Sequence, residues 1–125
     1  MLARAALLAL ALVGAGVAVH GLRANADCDR AGNRLAGAIA ARGDLGGAAR
    51  SVAADCDATR DLVDAAVRLV AAHDRRDAVL LSRRATQRAP GDQLAWLALG
   101  RVLPTGDPKA LAALARARQL APPVR

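Results

Sequence analysis

The chain has 125 residues, 54% of them hydrophobic, with one Trp and no Phe or Tyr. That leaves room for one small domain, and an Ala, Leu and Val core suits close helix–helix packing and argues against a sheet. Eighteen basic residues against 11 acidic give a formal net charge of +7, which favours anionic partners without choosing among them.

The N-terminal segment places a single charge, Arg4, before an apolar stretch from Ala5 to Val19. A positive start and an apolar run have the form of a secretory signal. Left uncleaved, a helix over about 2–22 approaches the ~20 residues needed to span a bilayer, making residues 1–26 a signal anchor. Ala24-Asn25-Ala26 offers a small-x-small site before Asp27, and cleavage after Ala26 would make the chain secreted. His20 and Arg23 lie where cleaved signals are usually neutral, which favours the anchor. Asp27 before Cys28 argues against a lipoprotein. In either case the remainder is expected outside the cytoplasm, in the cell envelope. The anchored form places the chain in the cell membrane with a single pass.

From Cys28 onward, helical spans alternate with short breaks. The first covers about 28–41 and stops at Arg42-Gly43, where glycine is expected to take the positive φ that ends helices. Asp44 caps a span over about 45–56. Asp57 is expected to cap the next, about 59–72, which carries Leu62, Ala65, Ala66 and Leu69 at helical spacing. His73-Asp74 breaks it. A span over about 76–88 is ended by Pro90-Gly91. Asp92 caps about 93–103, which stops at Pro104-Thr105-Gly106. Asp107 caps the last, to about Leu120, with Pro108 at its first position, where the missing N–H costs nothing. Spans this close together must pair as antiparallel hairpins. The expectation is an all-α domain over 27–122, with units at about 28–57, 58–90 and 91–122 and a tail at 123–125.

Two segments repeat a phrase at a distance of 32 residues: Ala78, Ala85 and Pro90 in one, Ala110, Ala117 and Pro122 in the other. A repeat of this length implies stacked supersecondary units, none of which buries its apolar face alone. Ala95-Trp96-Leu97-Ala98-Leu99-Gly100 precedes the second copy, and Leu62, Ala66 and Leu69 precede the first. On these residues the chain resembles the tetratricopeptide repeat (TPR) family, whose two-helix motif carries Trp, Leu and Gly in its first helix and Ala, Ala and Pro in its second. Leu103 stands where that family has a large aromatic, and the turn before Gly106-Asp107 is shorter by two residues. Gly43, Asp44 and Ala48 extend the pattern to the first unit, with Asp55 where a small residue belongs. The resemblance implies a concave surface that binds a protein or peptide. Carried over by position, its candidate residues are Arg30, Asn33, Arg60, Val63, Val67, Leu94, Leu97 and Arg101. Arginines there could grip a carboxylate-bearing or phosphorylated segment through bidentate bonds.

Asp27-Cys28-Asp29 and Asp55-Cys56-Asp57 form a smaller repeat. In the hairpin arrangement Cys28 opens one helix and Cys56 closes its antiparallel partner, so the two ends adjoin as a disulfide requires. An extracytoplasmic location supplies the oxidising environment. No third Cys or nearby His gives zinc spacing, and no C-x-x-C pair is present. We expect a Cys28–Cys56 disulfide and no metal site.

His20 and His73 lack partners at ligand or catalytic spacing, and Ser51 and Ser82 lack a base. Gly43, Gly46 and Gly47 follow no strand, so no phosphate loop is expected, nor a cofactor or an enzyme. Arg75, Arg76, Arg83, Arg84 and Arg88 concentrate charge on the fourth helical span. Without interleaved aromatics this does not suggest nucleic acid, and anionic lipid or polymer is the alternative partner. Trp96 is expected in the core between the last two helices. Leu111, Leu114 and Leu120 would form an apolar patch if the domain packs into a larger complex. The principal reading is a non-enzymatic binding scaffold of the envelope. Its alternative is an adaptor whose arginine-rich face takes an anionic lipid or polymer.

Overall fold

The computed structural model describes residues 2–123, with side chains from residue 13 onward except residue 14. Among the described residues it holds six α-helices and no strand: α1 (Leu2–Ala41), α2 (Leu45–Asp55), α3 (Thr59–Ala71), α4 (Arg75–Arg88), α5 (Gln93–Val102) and α6 (Pro108–Gln119). The all-α expectation holds. Consecutive helices pair as α1/α2, α3/α4 and α5/α6, and the three hairpins stack. Within the stack α3 lies beside α1 and α5, while α4 lies beside α2 and α5. Among the described residues α6 packs against α5 alone.

The middle hairpin supplies the largest share of the core. Leu62, Val63, Ala65, Ala66 and Leu69 form the buried stripe of α3. Ala78, Leu81, Ser82, Ala85 and Thr86 form that of α4. Both sets follow the three-and-four spacing that keeps side chains on one face. Leu35, Leu62, Leu69 and Leu81 are fully buried at the centre, each contributing about 1.5–3 kcal/mol by leaving water. The 32-residue repeat is a repeat of burial: Ala78 and Ala85 of α4, and Ala110 and Ala117 of α6, are all buried. In the first hairpin the buried residues of α2 are Ala49 and Val52, so Ala48 is displaced from the expected register.

The helix ends differ from the expectation at two places, Gly43 and Asp57. Arg42, not Gly43, takes the positive φ of 51°, and His73 does the same at 63°. In each case the N–H of the residue after the positive-φ position bonds five residues back, Gly43 to Ala38 and Asp74 to Leu69, both at 2.8 Å. These are Schellman closures, which satisfy carbonyls that the helix end leaves open. Asp57 does not cap α3; the cap position is Ala58, without a side-chain bond, and Asp57 instead pairs with Arg88 of α4. Asp44, Asp74, Asp92 and Asp107 do cap, each accepting from a first-turn N–H. Gly47 belongs to one of these caps, because the Asp44 carboxylate occupies the space that a Cβ there would need.

The largest departure is at the N-terminus. The sequence suggests an apolar helix to about Leu22 and a separate one from Cys28, but α1 runs unbroken through Asp27 to Ala41. Its 40 residues extend about 60 Å at 1.5 Å per residue. Among the described residues no helix is long and apolar enough to cross a membrane. Much of the Ala5–Val19 stretch lies outside the described side chains. Within the described part, Val13, Val17, Val19 and Leu22 are exposed.

The third hairpin closes on one tight contact. A Cβ at Gly100 would lie 2.6 Å from Cγ of Leu114, so glycine is what lets α5 and α6 approach. Leu114 and Leu120 are half-buried, and of the expected apolar patch Leu111 alone stays exposed. Trp96 is half-buried rather than core, and its indole N–H donates to the Pro90 carbonyl at 2.8 Å. That bond ties α5 to the turn that follows α4.

Candidate functional site

The four basic residues of α4 that matter most are Arg75, Arg76, Arg83 and Arg84. Because Ala78, Leu81, Ser82, Ala85 and Thr86 face inward, the helix period turns Arg76, Leu80, Arg83 and Gln87 outward. Packing α2 beside α4 brings Arg50 to the same side. The result is a groove of about 870 Å³ lined by α2, α4 and Pro104 of the α5–α6 turn. Five guanidiniums, from Arg50, Arg75, Arg76, Arg83 and Arg84, surround a floor made by Val79, Leu80 and Pro104. Among the described residues the ion pairs engage Arg30, Arg34 and Arg88, and none of the five groove arginines.

Asp77 is the acid within the groove. Burial raises its pKa above the usual 3.8, and the hydrogen bond and charge of Asp74 raise it further, against the lowering pull of Arg76 and Arg50. One carboxylate offsets only part of the field of five guanidiniums. A site with five unpaired guanidiniums and an apolar floor can bind carboxylates or phosphates bidentately while covering aliphatic segments between them.

A second recess, of about 350 Å³, lies between α1 and α3 beside the disulfide. Cys28 and Cys56 are bonded, with their Cα atoms 4.7 Å apart, as expected from their places at adjoining helix ends. Asp29, Asp61 and Asp64 line the recess with Asn33 and Arg68. The first-helix side is therefore acidic here, while the second-helix side is basic.

The residues carried over from the TPR resemblance are dispersed. Arg30 and Asn33 share a shallow recess with Arg34, and Arg30 is paired with Asp27. Val63 is buried in the core. Arg60, Val67, Leu94 and Arg101 are exposed and Leu97 is half-buried, and none of them lines the recesses described here. On α3 the recess is lined by Asp61, Asp64, Ala65 and Arg68, and the first two stand one residue after the carried-over Arg60 and Val63. Sequence reasoning found four of the groove arginines but counted Arg88, which is drawn away to Asp57. It missed Arg50, whose place follows once α2 is set beside α4.

Ser51 donates to the Gly47 carbonyl at 3.3 Å, and Ser82 is fully buried. His20 is exposed on α1 and His73 is exposed in the α3–α4 turn. Among the described residues no cluster of three His, Cys or Asp side chains could hold a metal. No protein-family model, curated protein or solved structure matches this chain.

Proposed function

We propose that the protein is a non-enzymatic binding scaffold of the cell envelope, a TPR-like stack of helix hairpins that captures an anionic partner along α2 and α4. The observation that carries this reading is the groove of five unpaired guanidiniums over an apolar floor. Unpaired surface arginines gathered by two helices create a field that accelerates encounter with acidic ligands and fixes their orientation. The site moves from the concave surface of the family resemblance to the outer face of the second helices.

The envelope location rests on the apolar N-terminal run and on the disulfide, which persists in oxidising compartments. Exposed Val13, Val17, Val19 and Leu22 on a helix that projects beyond the hairpins favour a surrounding apolar medium. We therefore take α1 as a single-pass anchor with the hairpins outside the cytoplasm; the cleaved, secreted form is the alternative.

Binding of a fluorescein-labelled oligoglutamate peptide, followed by anisotropy, tests the groove. An Arg75→Gln/Arg76→Gln/Arg83→Gln/Arg84→Gln variant is expected to lose about tenfold or more in affinity, since charge-assisted bonds dominate such contacts. An Arg60→Ala/Arg101→Ala variant is expected to bind as the wild type does. The reverse pattern would return the site to the first-helix face.

A further inference from the structure

The anionic partner of the groove could be the bilayer that holds the anchor or an acidic segment of a protein. We infer that α1 is a rigid stem which holds the arginine groove off the membrane, so that the groove reads an acidic protein segment rather than lipid headgroups. This rests on the binding reading above and adds the class of partner.

The geometry follows from three ties. First, α1 is one helix across the point where the anchor should end and the domain begin. An unbroken helix transmits direction, whereas a loop at Ala24–Asp27 would let the domain lie down on the bilayer. Second, the Cys28–Cys56 bond fixes the end of α2 level with Cys28, about 9 Å beyond Leu22 along α1. Third, Arg88 pairs with Asp57, which sets the C-terminal end of α4 at that same level.

Both α2 and α4 run back toward the anchor, so their N-terminal ends point away from it. Counting up α2 from Cys56, Arg50 lies about 18 Å beyond Leu22. Counting up α4 from Arg88, Arg84 and Arg83 lie at about 15–17 Å and Arg76 and Arg75 at about 27–28 Å. Headgroup charge is screened over a Debye length of about 8 Å at physiological ionic strength. A stem at the usual helix tilt of about 20° leaves the upper pair, Arg75 and Arg76, more than two such lengths away. The upper pair lies beyond the reach of headgroup charge while Arg50, Arg83 and Arg84 lie nearer to it, so only a partner that extends away from the bilayer meets all five.

The two anionic sources then separate by shape. A bilayer presents a plane, which meets the lower end of a groove running along its normal. An extended acidic segment can lie along α4, meeting Arg83 and Arg84 at one end and Arg75 and Arg76 at the other, with Leu80 between them.

The test uses the full chain in nanodiscs, either of zwitterionic lipid or with added anionic lipid, probed with fluorescein-labelled oligoglutamate. The expected result is equal peptide affinity in the two discs. A variant with a flexible Gly-Ser linker inserted between Arg23 and Ala24 should lose peptide affinity only in the anionic disc, because its groove can reach the headgroups. Wild-type affinity that falls about tenfold when anionic lipid is added would overturn the stem, since headgroups would then fill the groove. Chain that fails to remain with the discs would overturn it as well. Peptide that does not bind in the zwitterionic disc would instead remove the binding reading itself, so the two failures are distinguishable.

Discussion

In the first hairpin α2 buries only Ala49 and Val52 along its length and is tied to α1 by the Cys28–Cys56 bond. In the third, α6 buries Ala110, Ala113 and Ala117, seats Leu114 on Gly100, and has no covalent tie to α5. The two units have similar topology and are stabilised by different means. Where small residues recur at the repeat spacing, close packing suffices. Where the pattern lapses, as at Asp55, a cross-link limits the freedom of the unfolded chain.

The largest effect that should expose this contrast comes from removing the bond. A Cys28→Ser/Cys56→Ser variant is expected to lose about 3 kcal/mol in denaturant unfolding. Native-state hydrogen exchange should show the loss of protection concentrated in α1 and α2. Uniform weakening across α5 and α6 would mean that the hairpins do not differ in this way.

The matching perturbation of the third hairpin is Gly100→Ala. The new Cβ forces Leu114 away, and the cost is expected at about 1–3 kcal/mol. Adding Leu114→Ala should recover part of that loss in a double-mutant cycle. Additive costs would show that the close approach is not what binds α5 to α6. Trp96→Phe removes the indole donor to Pro90 and is expected to cost about 1 kcal/mol, readable as a lower thermal midpoint.

The smallest effect concerns the groove. Because the Asp77 pKa is raised in the fold, the stability this group contributes is complete below 3.8 and lost as pH rises through the folded value. Asp77→Asn cannot undergo that loss. Its thermal midpoint should exceed the wild type's at neutral pH, and the gap should close as pH falls below 3.8. Oligoglutamate should also bind the variant more tightly at neutral pH, since the carboxylate no longer opposes the arginines. A gap that widens on acidification would contradict the direction of the shift.

Much of the fold was legible because apolar spacing, Asp caps and prolines agree with one another along the chain. The disulfide was legible from the hairpin order, which brings Cys28 and Cys56 to adjoining ends. The continuity of α1 was not, because Ala24-Asn25-Ala26 before Asp27 reads locally as a cleavage site, yet it does not interrupt the helix. Nor do Arg42 and His73 signal the positive φ they adopt, since helix closure selects the position and not the residue best suited to it. At the candidate site, the family resemblance places binding residues on the first helices. The actual gathering of charge depends on which arginines remain unpaired, and the Asp57–Arg88 pair, which draws Arg88 away, is a tertiary fact.

The most direct test of the central claim is a chemical-shift map of the isotopically labelled chain titrated with oligoglutamate. The account predicts that perturbations gather at Arg50, Arg75, Arg76, Arg83 and Arg84 and fade as salt is added. Perturbations gathered instead at Arg30, Asn33, Arg60 and Arg101, or none along α4, would contradict it.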